Sequence, residues 1–73
     1  MAGRAPVIVD ARGLRCPWPA LRLAKAMRTR LAPIVLLADD PAAGREAGAV
    51  AAAQGWTLHA GNNADFLLTP PAA

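Results

Sequence analysis

A second cysteine is missing from this sequence, and that absence excludes more than any other. Cys16 stands alone among 73 residues, so there is no internal disulfide and no Cys-x-x-Cys pair to cycle between dithiol and disulfide. A reducing, cytoplasmic setting is the expectation for such a chain. With Cys16 and His59 the only cysteine and histidine, a zinc site is excluded, and no other metal or cofactor is expected. Three aromatic residues and no tyrosine are few for a reader of single-stranded RNA, which stacks bases on several rings. Long hydrophobic runs are lacking too. The stretch Leu31 to Ala38 is too short to cross a bilayer and is broken by Pro33, so no membrane association is expected. Charged residues at Arg4, Asp10 and Arg12 interrupt the place of a secretory signal core. Repeats and low-complexity tracts are absent.

What is present is 55% hydrophobic residues, too apolar for a disordered tail and sufficient for one domain over residues 1–73. Charge is distributed unevenly. Positions 1–30 hold seven of the eight basic residues against the single acid Asp10, a net +6, and the remainder carries −3. Arg22, Lys25 and Arg28 share the first helical segment and form a candidate partner surface, whether for an acidic protein patch or for RNA phosphates. A plain solvated helix face would have the same composition.

Val7-Ile8-Val9-Asp10 reads as a strand. Pro17 and Pro19 open a helix running to about Leu31, with Ala20, Leu23, Ala24, Met27 and Leu31 as its buried stripe and Arg22, Lys25 and Thr29 opposite. Ile34 to Ala38 is a continuous apolar run suited to a central strand. Asp39-Asp40-Pro41 is a helix start signal, although Gly44 and Gly48 move the expected onset toward Arg45; this helix ends near Gln54, before Gly55. Ala47, Ala51 and Ala52 suit close packing on a sheet. Trp56 to Ala60 and Asp65 to Thr69 form a hairpin about Gly61-Asn62-Asn63. The order β-α-β-α-β-β implies an α+β fold: a two-layer α/β sandwich with one four-stranded mixed sheet and two helices on one face. The far face of that sheet would expose residues such as Ile8 and Leu67.

Cys16 is the candidate catalytic residue. It lies at the mouth of the first helix, and a residue before proline is held in the backbone region that an N-cap uses. Pro17 and Pro19 stiffen the turn, leaving the N–H groups of Trp18 and Ala20 as the nearest unpaired donors. Together with Arg12 and Arg15, the helix start favours a thiolate, so a moderately depressed thiol pKa is predicted. Trp18 either docks a partner beside the sulfur or folds back as packing, whereas Trp56 reads as core and His59 as an exposed strand residue. A single nucleophile of this kind suits group carriage: it attacks the sulfane sulfur of a donor persulfide, holds it, and passes it on. The alternatives are a non-catalytic RNA- or protein-binding module using the basic first helix, and a scaffold whose cysteine is incidental.

The segment Val9 to Pro19 resembles the signature of the TusA/SirA-like family, a D-x-x-G-L-x-C-P-x-P pattern matched here at every fixed position, CPxP included. Ala38-Asp39-Asp40-Pro41 is similar to the family's acidic stretch after the second strand. The resemblance implies persulfide sulfur relay with Cys16 as acceptor, and Asp10, Gly13, Pro17 and Pro19 as the residues that shape its turn. It also implies a cysteine desulfurase or rhodanese-type donor, and an acceptor in tRNA thiolation, molybdenum cofactor assembly or sulfur oxidation. The chain departs from the pattern at Leu31-Ala32-Pro33, at Gly55-Trp56, and in lacking a second cysteine on the second helix.

Overall fold

Strand β1 (Val7–Asp10) alternates half-buried Val7 and Val9 with exposed Ile8 and Asp10, the period-two pattern of a strand with one covered face. The computed structural model describes residues 5–29, 32–61 and 65–71. Helix α1 (Trp18–Thr29) follows, then β2 (Ile34–Leu37), helix α2 (Ala43–Gln54), β3 (Thr57–Ala60) and β4 (Asp65–Thr69). The four strands form one mixed sheet in the order β1-β2-β4-β3, with β1 parallel to β2 and β4 antiparallel to both β2 and β3. A parallel pair needs a crossover, and α1 supplies it. The α+β architecture is therefore the one the sequence predicts.

Two rows cross the sheet and explain its sidedness. Val7, Ile34, Leu68 and Leu58 are in register and face the helices, with Ile34 and Leu68 fully buried. Next to them Ile8, Val35, Leu67 and His59 are in register on the uncovered face, where Ile8 is 67% and Leu67 39% exposed. Leu23 and Met27 bury the inner stripe of α1, while Ala20 and Ala24 are half-buried and Arg22, Lys25 and Thr29 are exposed. Leu31, Arg30, Arg4, Asn62 and Asn63 lie outside the described residues.

Several boundaries differ from the sequence reading. Helix α1 begins at Trp18, one residue after Pro17, because the carbonyl of Pro17 accepts the first helical hydrogen bond, from Leu21 N–H at 3.1 Å. The capping position is thus Pro17 and not Cys16. Helix α2 begins at Ala43, ahead of the expected onset at Arg45, because Asp40 accepts from Ala42 N–H through its side chain and from Ala43 N–H through its carbonyl. Gly44 does not weaken this start. It admits the Phe66 ring, whose atoms would lie 3.1 to 3.2 Å from any Cβ added there. Ala43, Ala47 and Ala51 are the buried face of α2, whereas Ala52 points outward. Gly55 closes the helix at φ 76°, its N–H donating to the carbonyls of Ala51 and Ala52, as left-handed C-terminal caps do. Trp56 is 7% exposed and belongs to the core.

Candidate functional site

Because β1 and β2 are parallel neighbours, the loops that follow them leave the same end of the sheet. The loop after β1 carries Gly13 and Cys16, and the loop after β2 carries Asp39 and Asp40. The two interlock through backbone donors. Asp39 Oδ1 accepts from Gly13 N–H at 3.0 Å, and Asp40 Oδ2 accepts from Cys16 N–H at 2.5 Å. Around them, Ala11 N–H donates to the Leu37 carbonyl at 2.7 Å, Leu14 N–H to the Ala11 carbonyl at 3.2 Å, and Trp18 N–H to the Arg15 carbonyl at 2.8 Å. The last of these corrects the expectation that Trp18 N–H is an unpaired donor. Gly13 turns the chain at φ 84°, a left-handed conformation that a side chain disfavours. The Cys16–Pro17 peptide bond is cis.

Asp10 organises the start of the loop. Its carboxylate accepts from the backbone N–H of Arg12 at 3.1 Å and from the guanidinium at 2.9 and 2.8 Å. These bonds, side chain first, lower the Asp10 pKa to about 2 and raise that of Arg12. Both side chains are more than half exposed, so the pair fixes loop shape more than it stabilises the fold. Pro19 is buried beneath the turn, and Pro17 is exposed.

Cys16 is an exposed free thiol, and its partner is one the sequence reading did not include. Glu46, in the first turn of α2, approaches with Oε2 2.7 Å from Sγ, and the thiol donates to it. The hydrogen bond to Glu46 comes first in raising the thiol pKa above 9.0, followed by desolvation and the negative charges of Glu46 and Asp40; Arg45 pulls the other way. The expected depression of this pKa is therefore reversed. Neither Arg12 nor Arg15 is among the charges that move the thiol: Arg12 is spent on Asp10, and Arg15 acts on Asp40. Asp40 itself is lowered, chiefly by the N–H groups of Ala42 and Cys16. His59 lies on β3, at the opposite edge of the sheet from β1, and does not partner the sulfur.

The sign of this effect gives a test. A raised thiol pKa favours the folded state below the unfolded value of about 9 and loses that contribution as pH climbs through the folded value. The iodoacetamide alkylation rate of the folded chain is expected to rise with pH along a curve displaced to the alkaline side of the urea-unfolded chain. At neutral pH the folded thiol should react more slowly. An equal or acidic midpoint would mean Glu46 does not hold the proton.

Beside this loop, a groove of about 660 Å³ runs between α1 and β1, lined by Ile8, Trp18, Leu21, Arg22 and Lys25 among others. Trp18 is 58% and Leu21 51% exposed, so both present apolar surface at this groove. Arg28 is exposed on the same helix.

This is a small mixed sheet under two helices, with an accessible thiol on a loop pinned by carboxylates. The family model for sulfurtransferase TusA matches residues 7–66, from the first residue of β1 into β4, and the chain belongs to that family. Membership points to a sulfur-carrier or sulfurtransferase role, and to proteins that give and take the sulfur. Comparison with curated proteins finds no significant match. Among the described residues, no helix is long and apolar enough to cross a membrane.

Proposed function

We propose that the chain carries sulfur as a persulfide on Cys16, taking it from one protein and passing it to another. The observation that carries this reading is the exposed thiol on a backbone pinned by Asp39 and Asp40, in a chain with no other thiol. In loading, the Cys16 sulfur attacks the outer sulfur of a donor persulfide. The new S–S bond forms as the donor's S–S bond breaks, and the donor departs as a thiolate that takes up the proton from Cys16. No net oxidation occurs, so neither metal nor cofactor is required. Delivery repeats the exchange with the acceptor's nucleophile.

In this reading Asp10, Gly13, Pro17 and Pro19 shape the turn, and Trp18 with Arg22, Lys25 and Arg28 receives partners. A cysteine desulfurase or rhodanese-type protein is the donor, and tRNA thiolation, molybdenum cofactor assembly or sulfur oxidation is the destination, in the cytoplasm. The apolar surface of Trp18 and Leu21 beside the basic groups favours a protein partner over RNA, because interface hot spots are built from buried aromatic anchors. Incubation with a cysteine desulfurase and cysteine should add one sulfur atom to the intact mass, removable by a thiol reductant. No gain with either class of donor would sink the proposal.

A further inference from the structure

The charges that face Cys16 come from two segments: Asp40 from the loop after β2, and Glu46 and Arg45 from α2. Two carboxylates oppose one guanidinium, and the nearer carboxylate touches the sulfur itself, with Glu46 Oε2 2.7 Å from Sγ. A thiolate is a stronger base than a carboxylate by about four pKa units, so the shared proton stays on sulfur. Glu46 is therefore poorly suited to remove that proton on its own. Its effect is to hold the resting thiol neutral and to place a negative charge against the exposed sulfur. The basic residues of the loop after β1 and of α1 do not act on Glu46: Arg12 is paired with Asp10, Arg15 acts on Asp40, and Arg22 and Lys25 face the groove between α1 and β1.

An approaching cation would satisfy Glu46, weaken its hold on the proton and leave the sulfur free to ionise. An approaching anion meets repulsion and leaves the thiol protonated. Resting on the persulfide reading above, we propose that Glu46 selects the sulfur donor by charge. Cys16 takes sulfur from a persulfide set among cationic side chains of a donor protein, and anionic sulfane compounds of the thiosulfate kind are disfavoured. The covalent step is unchanged: the S–S bond to Cys16 forms as the donor's breaks, and the donor's departing thiolate receives the proton.

The test uses two small disulfides of opposite charge, cystamine as the dication and 5,5′-dithiobis(2-nitrobenzoate) as the dianion. Second-order rate constants for Cys16 are measured with each, at neutral pH and low ionic strength, on the wild-type chain and on Glu46→Gln. A lowered thiol pKa in the variant raises the thiolate fraction met by both reagents alike and cancels in their ratio. Loss of the charge does not cancel. The cation-to-anion rate ratio should fall about tenfold in Glu46→Gln, the size expected for one charge acting on doubly charged reagents across a few ångströms of partly screened space. Added salt should bring the wild-type ratio toward that of the variant, and Glu46→Asp should retain most of it. A ratio that stays within about twofold of wild type in Glu46→Gln overturns the proposal. Because these reagents read the thiol without any relay, a normal ratio shift in a chain that never acquires sulfur would overturn the relay and leave the charge selection standing.

Discussion

Cys16→Ser is expected to abolish sulfur acquisition completely while the thermal midpoint stays where it is. The side chain is exposed and lies outside the buried cluster, and substitutions at such positions rarely alter stability appreciably. A serine hydroxyl is close in size and can still donate to Glu46 in place of the thiol. The pinning bond from the backbone N–H of residue 16 to Asp40 does not involve the side chain at all. The loop geometry therefore survives, and only the nucleophile is lost. A hydroxyl ionises far above neutral pH and cannot hold a persulfide, and the chain has no second thiol to take over. Intact mass after exposure to a desulfurase and cysteine, beside a thermal melt of the same sample, checks both halves. Sulfur retained by Cys16→Ser would place the carriage elsewhere, or reveal noncovalent adhesion.

The order of strands and helices was open to reading because each element rests on short-range physics: the alternation of Val7 to Asp10, the three-and-four spacing of Ala20, Leu23 and Met27, the left-handed stop at Gly55. Exposure of Ile8 and Leu67 followed from placing both helices on one side. The thiol's chemistry was not open to the same reading. Its neighbours in sequence, Arg12 and Arg15, suggested a positive field, yet the groups that meet it lie 24 and 30 residues away, at Asp40 and Glu46. Asp39 and Asp40 drew attention as a helix cap, and Asp40 does organise that helix's start. That both also hold the preceding loop depends on two parallel strands ending side by side, which is a tertiary fact. Glu46 carried no signal of its own, since an acid in the first turn of a helix is accounted for by the macrodipole alone. Its position is legible only once α2 is known to begin at Ala43 beside that loop.

Leu36→Ala is expected to remove about half of the chain's stability, and Leu67→Ala little of it, although both leucines stand in adjacent strands of one sheet. Leu36 is fully buried in β2, in register with Val9 on one side and Phe66 on the other, and belongs to the cluster beneath both helices. Truncating such a leucine loses transfer free energy and leaves a cavity in a core with few residues to collapse into it, a cost of about 2–5 kcal/mol. A chain of this length has on the order of 4–11 kcal/mol in total, so the variant should melt on the order of 10–30 °C lower. Leu67 faces the uncovered side at 39% exposure, and its truncation leaves no cavity, costing about 1 kcal/mol or less. Urea titrations of both variants measure the two costs on the same scale. Equal midpoints would mean that the helices do not cover the face assigned to Leu36, and the sidedness that lifts Cys16 to one rim of the sheet would have to be redrawn.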